Sequence, residues 1–230
     1  MDSFPWIWNK YKDIGYVTQF GEDETRSGTF QLRMLGFENK PTDVYWRTFY
    51  LEAENHYSKF DKYCLGNKPR HLVMLDGMRD MYNVYPDVPK FSFMWHTEYS
   101  HETYSAVQHM DADLYKFLKD MNEAGHLDNT LVMILSDHGA RFMTLRHTAQ
   151  GKLEERMPFM SFRFPNWFQQ KYPLAMQNLK DNVKRLTTPF DIHETLKEIY
   201  NFTSSQGGVN NDTLRGMNLL KSVPSERSCK

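Results

Sequence analysis

The sequence predicts an α/β fold with a mostly parallel sheet, and three observations carry that prediction. Short apolar runs typical of buried strands recur along the chain, amphipathic stretches with helical spacing lie between them, and the connections are long. Strands that alternate with helices over long connections favour parallel pairing with helical crossovers. A length of 230 residues suits one full domain, and no internal repeat or interdomain linker divides the chain.

The N-terminal part of the chain alternates ordered and irregular stretches. Residues 6–14 predict a short helix, and residues 15–20 predict a strand that leaves a glycine turn and ends near the acidic run 22–24. Glycines and prolines interrupt residues 27–70, which we expect to form loops and short helices. Apolar residues at helical spacing then predict a helix over residues 71–82.

Apolar runs in the remaining sequence predict three further strands. Residues 91–95 form a compact run, and the continuous run at 131–135 is typical of a central parallel strand that is covered on both faces. Residues 159–164 lie between two prolines and predict another strand. The apolar spacing also predicts a long helix over 104–124 capped by Gly125, helices over 172–182 and 190–200, and a flexible loop at 203–213.

The composition argues against two classes of partner. Lys plus Arg number 28 and Asp plus Glu 29, so no global field attracts nucleic acid. No apolar run approaches the about 20 residues that span a bilayer, so we expect no membrane segment in this chain. The first residues lack the basic start and apolar core of a secretion signal, so no signal peptide is expected either.

Two further features concern the compartment of the protein. Cys64 and Cys229 lie far apart, and they could pair with each other, pair with other partners or stay reduced. Asn201 and Asn211 each begin a triplet that fits the acceptor pattern for N-linked glycans. Two such triplets in a polar loop favour a protein of the secretory pathway.

The residues that follow the apolar run at 131–135 carry the clearest chemical signal. Asp137 and His138 stand there, beyond the predicted carboxyl end of a strand, where ligands of open α/β sheets gather. Together they could present oxygen and nitrogen to one divalent cation, with Gly139 allowing a sharp turn. Asp137 and His138 are therefore candidate metal ligands. By itself the run also fits a different interpretation, in which Asp137 caps a helix and His138 is a surface histidine.

Four segments around this run occur in a recognisable order. They are a helix beginning near Asp111 or Asp113 that leads to Gly125 and Asn129-Thr130, the Ser-Asp-His-Gly strand end, Arg156 two residues before Pro158, and the helix segment 190–196. This order resembles the alkaline phosphatase and sulfatase superfamily. The resemblance implies the C-terminal part of an alkaline-phosphatase-like α/β/α sandwich. It also implies a divalent metal (Zn, Mn or Ca) in the intact domain and a phosphate or sulfate ester as substrate.

Further runs narrow the resemblance. They are Tyr63-Cys64-Leu65-Gly66, Ser100-His101, residues 136–141, 146–158 and 185–191, and Arg227-Ser228-Cys229. These runs are similar to an animal family of that superfamily that is catalogued only as a domain of unknown function (DUF229), and the similarity covers nearly the whole chain. Because members are generally secreted or membrane-anchored, the resemblance implies an extracellular or membrane-anchored glycoprotein.

The resemblance also implies roles for individual residues. Asp137 and His138 would be metal ligands, and His101, after the strand at 91–95, would contact the substrate oxyanion. Guanidinium forks match such oxyanions, so the candidates to hold phosphate or sulfate are Arg141, Arg146 and His147. Each of these could instead be a solvated loop residue. Glu154, Glu155 and Arg156 are expected to brace the loop.

The main departure from the superfamily pattern lies upstream. There the superfamily has a metal-binding Asp at the end of its first strand and then a Thr, Ser or modified Cys nucleophile, and residues 1–60 show no such pattern. We therefore expect residues 1–202 to form a partial domain without a nucleophile, and 203–230 a flexible tail. The predicted function is a fragment of a metal-dependent ester hydrolase, inactive as an isolated chain. The alternatives are a non-catalytic extracellular binding protein or pseudoenzyme, and a short gene product without an independent role.

Overall fold

The computed structural model describes residues 1–57, 62–101, 103, 105–141, 144–200, 202 and 215–228. They form two compact units, the first made of Met1–His126 and His138–Phe159, the second of Leu127–Asp137 and Met160–Lys230. The helices are α1 Ile7–Asp13, α2 Arg47–Ala53, α3 Arg70–Val84, α4 Gln108–Glu123, α5 Ala149–Arg156, α6 Asn166–Lys171, α7 Pro173–Asn182 and α8 Pro189–Tyr200. The strands are β1 Val17–Glu22, β2 Val44–Tyr45, β3 Cys64–Leu65, β4 Lys68–Pro69, β5 Lys90–Trp95, β6 Val132–Leu135 and β7 Met160–Arg163.

The three-stranded sheet of the first unit has the order β2-β1-β5 with both pairs parallel, and β3 and β4 form a separate antiparallel pair in the same unit. The register of β1 and β5 runs from Val17 opposite Lys90 to Glu22 opposite Trp95. The α/β fold with a parallel sheet is therefore confirmed. Because both strands run the same way and end level with each other, the residues that follow Glu22 and Trp95 emerge at the same edge of the sheet.

The sheet of the second unit differs from the prediction. β6 pairs with β7 in the antiparallel direction, with Val132 opposite Arg163 and Leu135 opposite Met160. All four residues of β6 are half-buried, so the expectation of a strand covered on both faces is wrong for the described residues. The reason is that an apolar run indicates burial but contains no information on the direction or number of its partners.

Each unit has its own aromatic core. In the first unit Trp8, Phe20 and Phe30 are buried, and the rings of Trp8 and Phe20 stack with centroids 5.5 Å apart. In the second unit the buried cluster consists of Phe164, Phe168, Tyr172 and Leu220. The high aromatic content of the sequence is thus used for packing in both units.

Most predicted helices are present with small shifts of their ends. The helices expected over 71–82, 104–124, 172–182 and 190–200 correspond to α3, α4, α7 and α8. Gly125 has φ +76° directly after α4, which confirms its role as a helix cap. Short helices α5 and α6 had not been predicted, because their sequences are mainly polar or contain too few turns to show a period.

The C-terminal segment is packed where it is described. Leu219, Leu220 and Val223 are buried, which corrects the expectation of a flexible tail for residues 215–228. The expected loop at 203–213, the acceptors Asn201 and Asn211, and Cys229 lie outside the described residues. Among the described residues, no helix has the length and apolar character needed to cross a bilayer.

Candidate functional site

Four ionisable residues meet at the carboxyl ends of β1 and β5, and we call them the strand-end cluster: Asp23, Arg70, His96 and Glu98. Asp23 follows β1 directly and His96 follows β5 directly, so the parallel register brings them together. The side chain of Asp23 is fully buried and that of Arg70 is 4% exposed. Charged side chains are rarely buried to this extent unless each has an opposite charge and hydrogen-bond partners nearby.

Arg70 compensates the buried carboxylates from the first turn of α3. Its Nη2 donates to the main-chain oxygen of Asp23 at 2.7 Å, and its Nε lies 3.7 Å from Asp23 Oδ2. Its Nη1 donates to Glu98 Oε2 at 3.2 Å and to the carbonyl of Lys62 at 3.0 Å. Lys62 also forms an ion pair with Glu98. The planar guanidinium can reach all three neighbours at once, which an ammonium cannot do with the same geometry.

His96 is the member of the cluster with an incompletely used side chain. Its Nδ1 lies 3.4 Å from Asp23 Oδ2, while its Nε2 is buried and has no hydrogen-bond partner among the described residues. Burial lowers the pKa of His96 below its ordinary value, an effect that the nearby Asp23 partly opposes and Arg70 reinforces. The ring is therefore held towards its neutral form, in which one nitrogen accepts and the other donates.

A second buried histidine extends this polar region along α3. His71 Nε2 lies 2.8 Å from Asp113 Oδ2, and its Nδ1 lies 3.0 Å from the hydroxyl of Tyr99. The carboxylate of Asp113 only accepts, so Nε2 carries the hydrogen, while the Tyr99 hydroxyl lies within reach of both His71 Nδ1 and the Tyr63 carbonyl, which is 3.4 Å away. These bonds join α3 and α4 to the segment that follows β5.

His101, the predicted oxyanion contact, is the last residue of the turn 97–101, which begins two residues after the end of β5. The main-chain N–H groups of Ser100 and His101 both donate to the carbonyl of Thr97, at 3.0 and 2.9 Å. His101 is exposed to solvent. Its place beyond β5 leaves the residue accessible to a solute anion, and the oxyanion contact stays a prediction.

The predicted metal ligands Asp137 and His138 follow β6, and the division between the two units falls between them. His138 Nδ1 lies 2.7 Å from the carbonyl oxygen of Gly139. Because a carbonyl only accepts, Nδ1 carries the hydrogen, and a neutral ring then presents its lone pair at Nε2. This is the tautomer in which a histidine that donates to a carbonyl can ligate a cation.

Gly139 is required for a different reason from the one expected. The sequence suggested a sharp turn, whereas the structure shows a close approach to the end of α5. A Cβ at Gly139 would lie 2.1 Å from the carbonyl oxygen of Glu154, and the Gly139 N–H donates to the carbonyl of Glu155 at 3.1 Å. Only glycine fits this contact. The segment with His138 is thereby fastened to α5.

The candidate oxyanion-binding residues Arg141, Arg146 and His147 are all exposed. Arg146 and His147 lie in the 3₁₀ turn Thr144–His147, and Arg146 Nε donates to Glu155 Oε2 at 3.3 Å. Part of the charge of Arg146 is thus already balanced by Glu155, as expected for a residue that braces the loop. An anion that binds Arg146 has to compete with this carboxylate.

A complete metal site is not present in the part of the chain that the structure describes. No group of three or more His, Cys, Asp or Glu side chains there is arranged to hold a cation. Zn²⁺ sites use three or four protein ligands, and Asp137 and His138 supply two. The described residues therefore supply two ligands of such a site, and its remaining ligands would have to come from other groups.

A small polar cleft is lined by residues of β1 and β2 and of the segments that follow them. Its empty volume is about 200 Å³, and it is lined by Phe20, Glu22, Glu24, Gln31, Tyr45 and Arg47. Gln31 Oε1 and the Tyr45 hydroxyl are buried there, and Gln31 acts on the pKa of Tyr45, which burial raises. Burial raises the pKa of Glu22, although hydrogen bonds from Thr29 act in the opposite direction.

Sequence reasoning missed most of the strand-end cluster. The acidic pair Glu22-Asp23 at a strand end was visible, but its partners Arg70 and His96 are 47 and 73 residues away in the chain. A buried position of Asp23 could have been suspected only from its place after a buried strand.

Comparison with protein families gives one result. The model of the family described as "Protein of unknown function (DUF229)" matches residues 1–230. No curated protein and no solved structure matches the chain significantly.

Proposed function

Because the chain belongs to the DUF229 family of proteins of unknown function, we propose a function from its chemistry, as the oxyanion- and cation-binding part of a phosphate- or sulfate-ester hydrolase. The placement in the alkaline phosphatase and sulfatase superfamily is part of this proposal. So is the division of the sequence into a partial domain at 1–202, with the nucleophile supplied from outside these residues.

The observation that carries the proposal is the state of His138. A donor bond from Nδ1 to the Gly139 carbonyl fixes the tautomer that presents Nε2 as an acceptor, next in sequence to the Asp137 carboxylate. Oxygen and neutral imidazole nitrogen are ligands that Zn²⁺ and Mn²⁺ accept. When bound, such a cation would stabilise negative charge on a phosphoryl or sulfuryl oxygen.

The chain's own residues suggest how an oxyanion would be held. His101 lies after the end of β5, and Arg141 and His147 are exposed without an ion pair among the described residues. Imidazole and guanidinium N–H groups can donate to an oxyanion, and the bond from the guanidinium is charge-assisted. Arg146 would contribute less because Glu155 already accepts from it.

Paramagnetic broadening by Mn²⁺ tests the proposal on the 230-residue chain. We expect sub-stoichiometric Mn²⁺ to broaden the imidazole resonances of His138 in NMR spectra, even if affinity is low. Asp137→Ala should reduce the affinity by about tenfold or more, because one of two ligands is lost. Aryl phosphate and aryl sulfate should not be turned over by this chain alone.

His56 provides a matched control in the same spectra. It is an exposed histidine whose Nε2 lies 2.9 Å from Glu52 Oε1, so it measures the general affinity of a His-carboxylate pair for Mn²⁺. Glu52→Ala should leave the broadening at His138 unchanged. Broadening at His138 that is no greater than at His56, or that survives Asp137→Ala, would count against the proposal and favour a non-catalytic binding protein.

A further inference from the structure

We propose that Asp23 is a positioning residue: its carboxylate binds the main chain at the start of the turn 97–101 and so sets the position at which His101 contacts an oxyanion. This inference rests on the proposed function and deepens it, because it assigns a role at the same edge of the sheet to a buried carboxylate. Asp23 itself contacts neither solvent nor ligand, since its side chain is fully buried.

Asp23 binds the start of the turn through two main-chain donors. The Thr97 N–H donates to Asp23 Oδ1 at 2.6 Å, and the Glu98 N–H lies 3.4 Å from Oδ2. The Asp23 N–H in turn donates to the carbonyl of Trp95 at 3.3 Å. Asp23 therefore binds the chain on both sides of His96, with its main-chain N–H bonded to Trp95 and its carboxylate bonded to Thr97 and Glu98. Hydrogen bonds to a charged acceptor are stronger than neutral ones.

Thr97 connects the Asp23 carboxylate to His101 through its two main-chain hydrogen bonds. The Thr97 carbonyl accepts the N–H groups of Ser100 and His101, so its orientation fixes the turn that carries the His101 side chain. The amide of Thr97 is held by Asp23 while its carbonyl holds His101. A change at Asp23 Oδ1 thus reaches the His101 main chain through a single residue.

Stability alone gives no reason to bury this charge pair. Replacing a buried ion pair by packed apolar side chains is often neutral or stabilising, because desolvation offsets the attraction between the charges. What an apolar pair cannot do is bind two successive main-chain N–H groups. Arg70 supplies the counter-charge and also donates to the Asp23 carbonyl and to Glu98 in the same turn. The pair therefore specifies geometry at a cost in desolvation.

The test compares Asp23→Asn with Met121→Ala in the 230-residue chain. Asn keeps an oxygen for one of the two donors but loses the charge and the second acceptor. Met121 is 2% exposed in α4 of the same unit and bonds to no part of the turn, so its truncation weakens the unit without touching the anchor. Hydrogen exchange of the Thr97, Glu98 and His101 amides is measured relative to Phe20 in the central strand.

We expect Asp23→Asn to accelerate exchange in the turn by about tenfold relative to Phe20, as for loss of roughly one charge-assisted bond. Met121→Ala should leave this ratio unchanged. A second readout is the shift of the His101 imidazole resonance on titration with inorganic phosphate. The apparent phosphate affinity at His101 should fall several-fold in Asp23→Asn and stay as in the wild type in Met121→Ala.

The outcomes separate this inference from the proposed function. Absence of any phosphate effect on His101 in the wild type would contradict the proposed oxyanion role, while the exchange ratio still decides whether Asp23 holds the turn. An unchanged ratio in Asp23→Asn, or equal losses of phosphate affinity in both variants, would overturn the positioning role. If Asp23→Asn does not fold, the wild type decides: fast exchange of the Thr97 amide would contradict the anchor, and slow exchange would support it.

Discussion

Glu22 is a buried carboxyl whose environment makes stability depend on pH. It is 7% exposed at the end of β1, and its Oε1 accepts from the Thr29 N–H at 2.7 Å and the Thr29 hydroxyl at 2.8 Å. Burial is the larger influence and raises its pKa above the ordinary value, with Asp23 acting in the same direction and Arg47 against it. The folded state therefore binds a proton more readily than the unfolded chain. From this group alone, stability is lost as pH rises from the ordinary value through the raised pKa.

We predict that Glu22→Gln removes this loss. Glutamine keeps an oxygen for Thr29 but never ionises, so the variant should gain melting temperature relative to the wild type as pH is raised from 4 to 7. Thermal unfolding followed by circular dichroism at several pH values measures the difference. Glu24→Gln, at a half-buried neighbour in the same cleft, removes a carboxylate without touching Glu22 and serves as the control for the loss of a charge. Parallel curves for Glu22→Gln and the wild type would refute the prediction.

At the scale of elements, side chains of α7 and α8 explain why the segment after residue 214 is ordered. Asp191, in the first turn of α8, accepts from Arg227 through both oxygens at 2.8 and 2.9 Å and from the Met217 N–H at 2.7 Å. Thr195, one turn later, accepts from the Leu219 N–H at 2.9 Å. Asp191 and Thr195, which belong to the helix segment 190–196 of the resemblance, thus bind the C-terminal segment and have a structural use.

Asn182 at the end of α7 fastens the same segment, and we predict a large effect of its removal. Its Nδ2 donates to the carbonyls of Leu219 and Lys221, and its Oδ1 accepts from the Val223 N–H. Asn182→Ala would leave these main-chain groups without partners in a buried place, at a cost of about 2–4 kcal/mol. Urea unfolding monitored by circular dichroism gives the change in free energy of unfolding.

Asn178 is the control for this measurement because it lies one turn earlier on α7. It makes one of these bonds, from Nδ2 to the Leu220 carbonyl at 3.0 Å, and is only half-buried. Asn178→Ala should therefore cost about 1 kcal/mol. Equal losses for the two variants would show that the number of bonds held by Asn182 does not determine its contribution.

The elements that could be predicted are those whose signals are local. Helix α4 has a clear apolar period, and Gly125 is a residue suited to the positive φ that ends it. The direction of β7 could not be predicted, because an apolar run does not specify its pairing partner. Likewise, Asp137 and His138 were visible as neighbours in sequence, whereas the contact of Asp23 with Arg70 depends on the packing of α3 against the sheet and has no local signal.

At the scale of the whole molecule, the chain is an α/β protein whose positive and negative side chains nearly balance, with 28 Lys and Arg against 29 Asp and Glu. The net charge of −1 gives no reason to expect nucleic-acid binding. That the protein does not bind nucleic acid stays a prediction. The two units each have a buried aromatic cluster, and the candidate binding residues His101, Asp137 and His138 lie on segments that follow strands. Rigid elements with polar residues on their connecting segments are the usual arrangement in α/β proteins.

The compartment of the protein is the last property that can be tested on the whole chain. Asn201 and Asn211 begin acceptor triplets, and Phe202 beside the first packs against Phe168 and Tyr172 with ring centroids 5.3 and 4.8 Å away. If the protein passes through the secretory pathway, glycans are added to such asparagines at the surface. We predict that the chain, secreted from animal cells behind an appended signal sequence, migrates more slowly in gels until it is treated with a glycosidase.

Single substitutions then assign the glycans. Asn201→Gln and Asn211→Gln should each remove one step of the mobility shift, and the double variant should migrate like the treated protein. Because Phe202 is fixed against the core while the second triplet stands in a polar run, a partial shift at Asn201 and a full shift at Asn211 is the expected order of occupancy. A secreted chain with no shift at all would contradict the glycoprotein expectation and remove the support that these triplets give to an extracellular role.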